Sequence, residues 1–180
     1  MRIRKEDCTG LVIDVQEKLF RVMDRGQEML ERTLILLEGM KILGLPVIVT
    51  EQYPKGLGPT LDPIRMAAVS GEPVQKMAFS CCDEPGFMSR LDNTGRKTLV
   101  ICGIEAHVCV LQTVMDLTGK GFIPVVVADC TASRTRADKN VALDRMKGEG
   151  AVITTSESLL FELVREAGTD LFRAISRLVK

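Results

Sequence analysis

The sequence predicts an α/β fold, a single-domain doubly wound (Rossmann-like) three-layer sandwich around a six-stranded parallel sheet. Three observations carry that prediction. Short β-branched apolar runs alternate with longer segments of helical period. The runs are nearly continuous in apolar residues, as strands covered on both faces require. No internal repeat, low-complexity linker or shift in composition divides the chain.

In order, the expected strands are GLVIDV (10–15), LPVIVTE (45–51), PVQKMAF (73–79), TLVICGI (98–104), FIPVVVAD (122–129) and AVITT (151–155). Between the first two, Leu19, Val22, Met23, Leu30, Leu34, Leu37 and Met40 mostly recur three or four residues apart, which predicts a helix from Glu17 to Leu43. Gly44 is a suitable C-cap for it, with Pro46 just beyond. Further helical segments follow Asp83, Glu105, Arg136 and Ser156, the last broken near Gly168. Residues 51–63 (EQYPKGLGPTLDP) read as a long irregular loop, a common place for function.

Composition removes several classes. The 180 residues carry 24 Lys+Arg against 24 Asp+Glu, so there is no basic footprint for nucleic acid or an anionic membrane. With 46% hydrophobic residues, the chain is too apolar for disorder. No apolar run approaches the ~20 residues of a membrane span. The N-terminus, MRIRKEDCTG, lacks the apolar stretch of a signal peptide, and a cytoplasmic protein is expected. The six cysteines, Cys8, Cys81, Cys82, Cys102, Cys109 and Cys130, then read as reduced thiols. They are dispersed and His107 is the only histidine, so no metal site is predicted. The first strand-to-helix turn reads DVQEKLF, without the glycines that let backbone amides approach a phosphate, and no cofactor is predicted either.

In an open parallel sheet, ligands bind beyond the carboxyl ends of the strands. Three residues stand out there. Asp14 ends an otherwise apolar strand, where a carboxylate is either an N-cap or a working group. Lys76 lies in an extended apolar run, as a snorkelling edge lysine or a catalytic one. Cys109 follows a strand end at the start of a helix, where free N–H groups favour a thiolate; a cysteine in an apolar helix also reads as plain core.

The set is more telling than its members. DVQ at Asp14, a lysine at Lys76 in the third strand and GIEAHVCV at 103–110 resemble the isochorismatase-like cysteine hydrolase superfamily, over essentially the whole chain. TEQYPKGLGPT (50–60) is similar to the branch of isochorismatase-domain-containing proteins and related hydrolases of unassigned substrate. The resemblance implies that the family's aspartate, lysine and nucleophilic cysteine fall on Asp14, Lys76 and Cys109. It implies a cis peptide between Ile104 and Glu105, aiming the N–H groups of Glu105 and Cys109 at one point as an oxyanion hole. Many members carry a threonine where this chain has Ala106. Relatives that bind a metal use histidines in the loop after the second strand; Glu51 and Tyr53 stand there instead. The resemblance further implies a homo-oligomer.

The expected chemistry is hydrolysis of a C–N bond in a small amide-type molecule through a Cys109 thioester, with Asp14 as base and Lys76 stabilising the thiolate. Gln16, Phe20, Tyr53, Phe79 and His107 are expected around the substrate; Phe20 and Phe79 read equally as core, and Gln16 as an orienter of Asp14 or a water. Arg134 and Arg136 are open to reading as carboxylate binders, solvated residues or a subunit contact. Two other classes compete: a non-catalytic interaction protein on the same fold, and a thiol redox protein in which Cys81, Cys82 or Cys102 resolves Cys109.

Overall fold

The apolar runs form six parallel strands in a computed structural model that describes residues 1–68 and 71–180. They are β1 (Cys8–Ile13), β2 (Val47–Gln52), β3 (Val74–Lys76), β4 (Thr98–Ile104), β5 (Ile123–Ala132) and β6 (Val152–Thr154), in the spatial order β3-β2-β1-β4-β5-β6. The chain leaves β1 in one direction through β2 and β3, then returns to β4 on the other side of β1. The order therefore reverses between β1 and β4, and the crevice of such a sheet opens at their carboxyl ends.

Alternation along each strand builds one core on each face. Cys8 and Val12 of β1, with Val100, Cys102 and Ile104 of β4, face one cluster; Leu11 and Ile13, with Leu99 and Ile101, face the other. The first cluster is closed by α2 (Gly26–Leu43), α4 (Asp62–Ala68), α8 (Ser156–Val164) and α9 (Asp170–Leu178). The second is closed by α5 (Pro85–Asp92), α6 (Leu111–Gly119) and α7 (Arg136–Gly148). Helices on both faces of a parallel sheet give the three layers.

Several elements differ from the sequence expectation, each for a local reason. The helix expected over 17–43 is broken into α1 (Glu17–Phe20) and α2, with Arg25 left-handed at φ 52° between them. Val22 is exposed rather than buried, Phe20 lies against Gly26, and Asp24 N–H donates to Ser133 O at 2.9 Å. That tertiary tie overrides the helical period. The far end of α2 is as expected: Gly44 is left-handed at φ 69°, and Leu45 N–H returns to Met40 O, a Schellman closure. The 51–63 segment holds α3 (Pro54–Leu57) and the start of α4, and Thr60 bridges Gln16. β3 stops at Lys76 rather than Phe79, and β5 runs on to Ala132 through a shift in its register with β4.

One glycine fixes how closely β1 and β4 approach at their ends. Gly103 has φ +123°, and a Cβ there would lie 2.1 Å from Ile13 O and 2.7 Å from Ile13 N. No side chain fits against that backbone. One residue further on, the Ile104–Glu105 peptide bond is cis.

All six thiols are free and buried. Burial pushes Cys8, Cys82 and Cys102 up to about 12 from the ordinary 9.0, because a thiolate loses its water there.

Gly103→Ala is expected to destabilise the protein by more than about 3 kcal/mol, since backbone must move to admit the methyl. Gly119→Ala, at a position with nothing within 4 Å, is the matched control and should leave stability unchanged or raised. Chemical denaturation of the two variants reads the difference; equal stabilities would remove the steric argument.

Candidate active site

The residues at the reversal point converge. β1 ends at Ile13, and Asp14, the next residue, turns out of the strand with φ 52°. A left-handed aspartate is uncommon but tolerated, since its short polar side chain can bond locally. Here the side chain is held from two sides. Thr50 Oγ1 donates to Asp14 Oδ1 at 2.7 Å, and Lys76 Nζ lies 2.7 Å from Oδ2. Both charged side chains are 0% exposed. A buried carboxylate without such partners would be prohibitively costly.

Lys76 is surrounded by acceptors. Besides Asp14, its ammonium donates to Gln52 Oε1 at 2.7 Å, Phe79 O at 3.0 Å and Ala78 O at 3.2 Å. Burial works against the charge, but Asp14 and the nearby Cys109 and Cys81 sulfurs outweigh it, and the lysine pKa is raised.

Beyond β4, Glu105 caps a single π turn (Ala106–Val110), in which Val110 N–H reaches back to Glu105 O, and α6 continues from it. Cys109 sits in that turn, buried, with the Asp14 and Lys76 charges acting on its thiol. Its thiol pKa is pushed well up, first by burial and then by the Asp14 charge, with Lys76 pulling the other way. The helix-start effect expected from the sequence is outweighed here: burial and the Asp14 carboxylate both favour the thiol over the thiolate. Cys81 adjoins the same group. Its thiol donates weakly to Thr50 Oγ1 at 3.9 Å, its N–H donates to Thr113 Oγ1 one turn beyond Cys109, and burial and Asp14 push its pKa up to about 11.

The surrounding residues take varied positions. Gln16 does not orient Asp14: its Oε1 accepts from Gln52 N–H at 2.8 Å, and its Nε2 donates to Gln52 O at 3.0 Å and Gly58 O at 2.6 Å. Its whole amide is committed to the end of β2 and the loop after it. Tyr53 is half-exposed over Gly56 and lines a cavity of about 270 Å³ along the β3 edge with Lys76, Met77 and Glu84. Phe79 carries its carbonyl to Lys76 but exposes its ring, so the core reading for it is corrected. Phe20 packs against Gly26 and the core beneath α2. His107 Nδ1 pairs with Ser133 Oγ at 3.0 Å. Arg134 clamps Glu105 with two bonds, at 2.9 and 3.1 Å, and Glu51 is spent on Thr60 N–H and Oγ1. Among the described residues, no group of three or more His, Cys, Asp or Glu side chains could hold a metal ion.

Sequence reasoning missed Thr50 and Gln52 as members of this site and weighed Cys81 only as a resolving thiol. The run TEQ closing an apolar strand was the one available signal.

A family model described as the isochorismatase domain matches residues 9–158. The chain belongs to the isochorismatase family. It is 36% identical over 180 residues to isochorismatase domain-containing protein 2A of Mus musculus, covering 99% of this chain and 85% of the mouse protein. Among solved structures it resembles the MAR1 ribonuclease of Caenorhabditis elegans, with 35% identity, a TM-score of 0.92 and coverage of 99% and 92%. The YcaC gene product of Escherichia coli, described as an octameric hydrolase of unknown specificity, matches at 25% identity and a TM-score of 0.93, with coverage of 99% and 89%. The fold of an isochorismatase-family hydrolase thus carries this site, and no helix among the described residues is long and apolar enough to cross a membrane.

Because Asp14 raises the Cys109 pKa, Asp14→Asn should lower it and leave the thiolate facing Lys76 alone. The expected result is faster alkylation of Cys109 by iodoacetamide at pH 7, by about tenfold for each unit of lowered pKa. Peptide mass spectrometry reads this site by site; an unchanged alkylation rate would mean that the Asp14 charge does not act on the Cys109 thiol.

Proposed function

We propose that the protein is a cysteine hydrolase that cleaves a C–N bond of a small amide-type molecule. The observation that carries the reading is the buried set in which Asp14 pairs with Lys76 at 2.7 Å and both charges act on the buried Cys109 thiol, at the reversal point of the sheet. Family membership supports a hydrolase, and the geometry and charges of the site support the residue roles.

In this mechanism the Asp14 carboxylate takes the Cys109 proton as the sulfur forms a bond to the substrate carbonyl carbon. Lys76 stays charged beside both and offsets the sulfur's developing negative charge. The carbonyl oxygen becomes an oxyanion and meets the backbone N–H groups of Glu105 and Cys109; one such donor is typically worth about 3–4 kcal/mol. As the C–N bond breaks, Asp14 returns its proton to the departing nitrogen. A water then gives a proton to Asp14 and its oxygen to the thioester carbon, releasing the acid. The proton Asp14 gained goes back to the sulfur, and the starting state is restored.

The raised thiol pKa fits this sequence. Peroxide and disulfide exchange run on a standing thiolate, whereas burial and the Asp14 charge push both the Cys81 and the Cys109 thiol up. A carboxylate acting on Cys109 supplies the base that such a thiol needs when it attacks a carbonyl. The pocket residues proposed around the substrate are Tyr53 and His107, with Gln16 as a support. A homo-oligomer is part of the same reading: YcaC is octameric, and Tyr53, Met77 and Phe79 expose apolar surface beside the site. Sedimentation at a single monomer mass would remove that part.

The test is turnover of a panel of small amides, ureides and carbamates. The native protein should hydrolyse at least one, with an acyl adduct on the Cys109 peptide after rapid quenching, and Cys109→Ala should lose at least 10³-fold in kcat. Full activity of Cys109→Ala would end this mechanism.

A further inference from the structure

The Lys76 ammonium has three protons to give and no lone pair to offer. Four acceptors surround it: Asp14 Oδ2, Gln52 Oε1, Ala78 O and Phe79 O, at 2.7, 2.7, 3.2 and 3.0 Å. Every N–H is therefore taken within the protein, and none is left for a substrate. A neutral amine in the same cage would turn a lone pair toward an acceptor, so the cage selects the charged form. Asp14 accounts for one of those contacts and the local backbone for two. The fourth is Gln52, a buried amide that nothing in the proposed mechanism uses.

The orientation of that amide is dictated. Gln52 Nε2 donates to Met77 O at 2.7 Å, and a carbonyl can only accept. Oε1 must then be the atom that faces Lys76. The Gln52 backbone is fixed in turn, because the Gln16 side chain bonds both its N–H and its carbonyl. A chain of bonds thus runs from Gln16 to Gln52, from Gln52 to Lys76, and from Lys76 to Asp14 beside Cys109.

We propose that Gln52 is a positioning residue of the reaction: its amide locks the Lys76 ammonium against Asp14 as a fixed positive charge that takes no part in proton transfer. This rests on the hydrolase reading for its catalytic meaning, but the geometry of the lock stands apart from it. The lock confers a definite division of labour. Proton movement belongs to Asp14 and Cys109, and Lys76 supplies only charge, held where it lowers the cost of a sulfur anion.

Gln52→Met keeps the approximate length and volume while removing both hydrogen bonds. With Lys76 released, the Cys109 thiolate loses part of its counter-charge. The expected result is alkylation of Cys109 at pH 8.5 slowed at least threefold, in protein whose melting temperature shows it folded. On a substrate of the native protein, kcat should fall tenfold or more with KM within twofold. If Gln52→Met does not fold, Gln52→Leu removes the same two hydrogen bonds with a smaller side chain, and it too should slow Cys109 alkylation at least threefold. Native alkylation and native kcat in a folded Gln52→Met protein would overturn the proposal, as would equal losses in kcat, KM and melting temperature with alkylation unchanged. The hydrolase reading fails separately, through an active Cys109→Ala protein, and the alkylation measurement needs no substrate.

Discussion

The constraint on which the rest depends is a buried ion pair. Asp14 and Lys76 meet at 2.7 Å with both side chains fully shielded from water. Desolvating two ions costs several kcal/mol each, and their attraction repays this only when the remaining donors and acceptors are also satisfied. The surroundings read as a response to that demand. Thr50 supplies a donor to the other Asp14 oxygen, while Gln52 and two main-chain carbonyls take the remaining lysine protons. Removing either ion alone would strand the other, at a cost of about 3–5 kcal/mol. Such a pair is poor evidence for stability and fits a site where charge must be held ready.

The sheet makes this pairing feasible. Asp14 comes from the end of β1, Thr50 and Gln52 from β2, Lys76 from β3 and Cys109 from the turn after β4. These are four neighbouring strands in the order β3-β2-β1-β4, so residues far apart in sequence are brought to adjacent strand ends. Gly103 lets β4 come against the main chain of Ile13, the residue before Asp14. The distance between the nucleophile and the carboxylate is thus set by backbone packing, which is stiffer than any side-chain contact.

Much of this was legible in the sequence, and the pattern of what was not is instructive. The six strands and their parallel arrangement follow from near-continuous apolar runs, and each is found within a few residues of its expected bounds. The errors fall where a tertiary contact outweighs a local period, as at residues 21–25, where Asp24 is tied to Ser133. Asp14, Lys76 and Cys109 were visible because charged or nucleophilic side chains are conspicuous in apolar strands. Gln52 and Thr50 were not, since a neutral polar residue near a strand end looks like one that meets water. Their roles depend on which neighbours the crossovers bring alongside, and Gln16 was misread for the same reason: its partners are a backbone 36 positions away.

The burial of every cysteine has a practical consequence of another kind. Besides Cys109, five thiols are enclosed, and those of Cys8, Cys82 and Cys102 are raised to about 12, so beyond Cys109 the folded chain offers a sulfhydryl reagent little to attack at neutral pH. At those five positions only opened molecules react freely, and five further labels per opened chain make the signal large. The protein therefore carries its own internal gauge of conformational opening, with each cysteine reporting the part of the fold that encloses it.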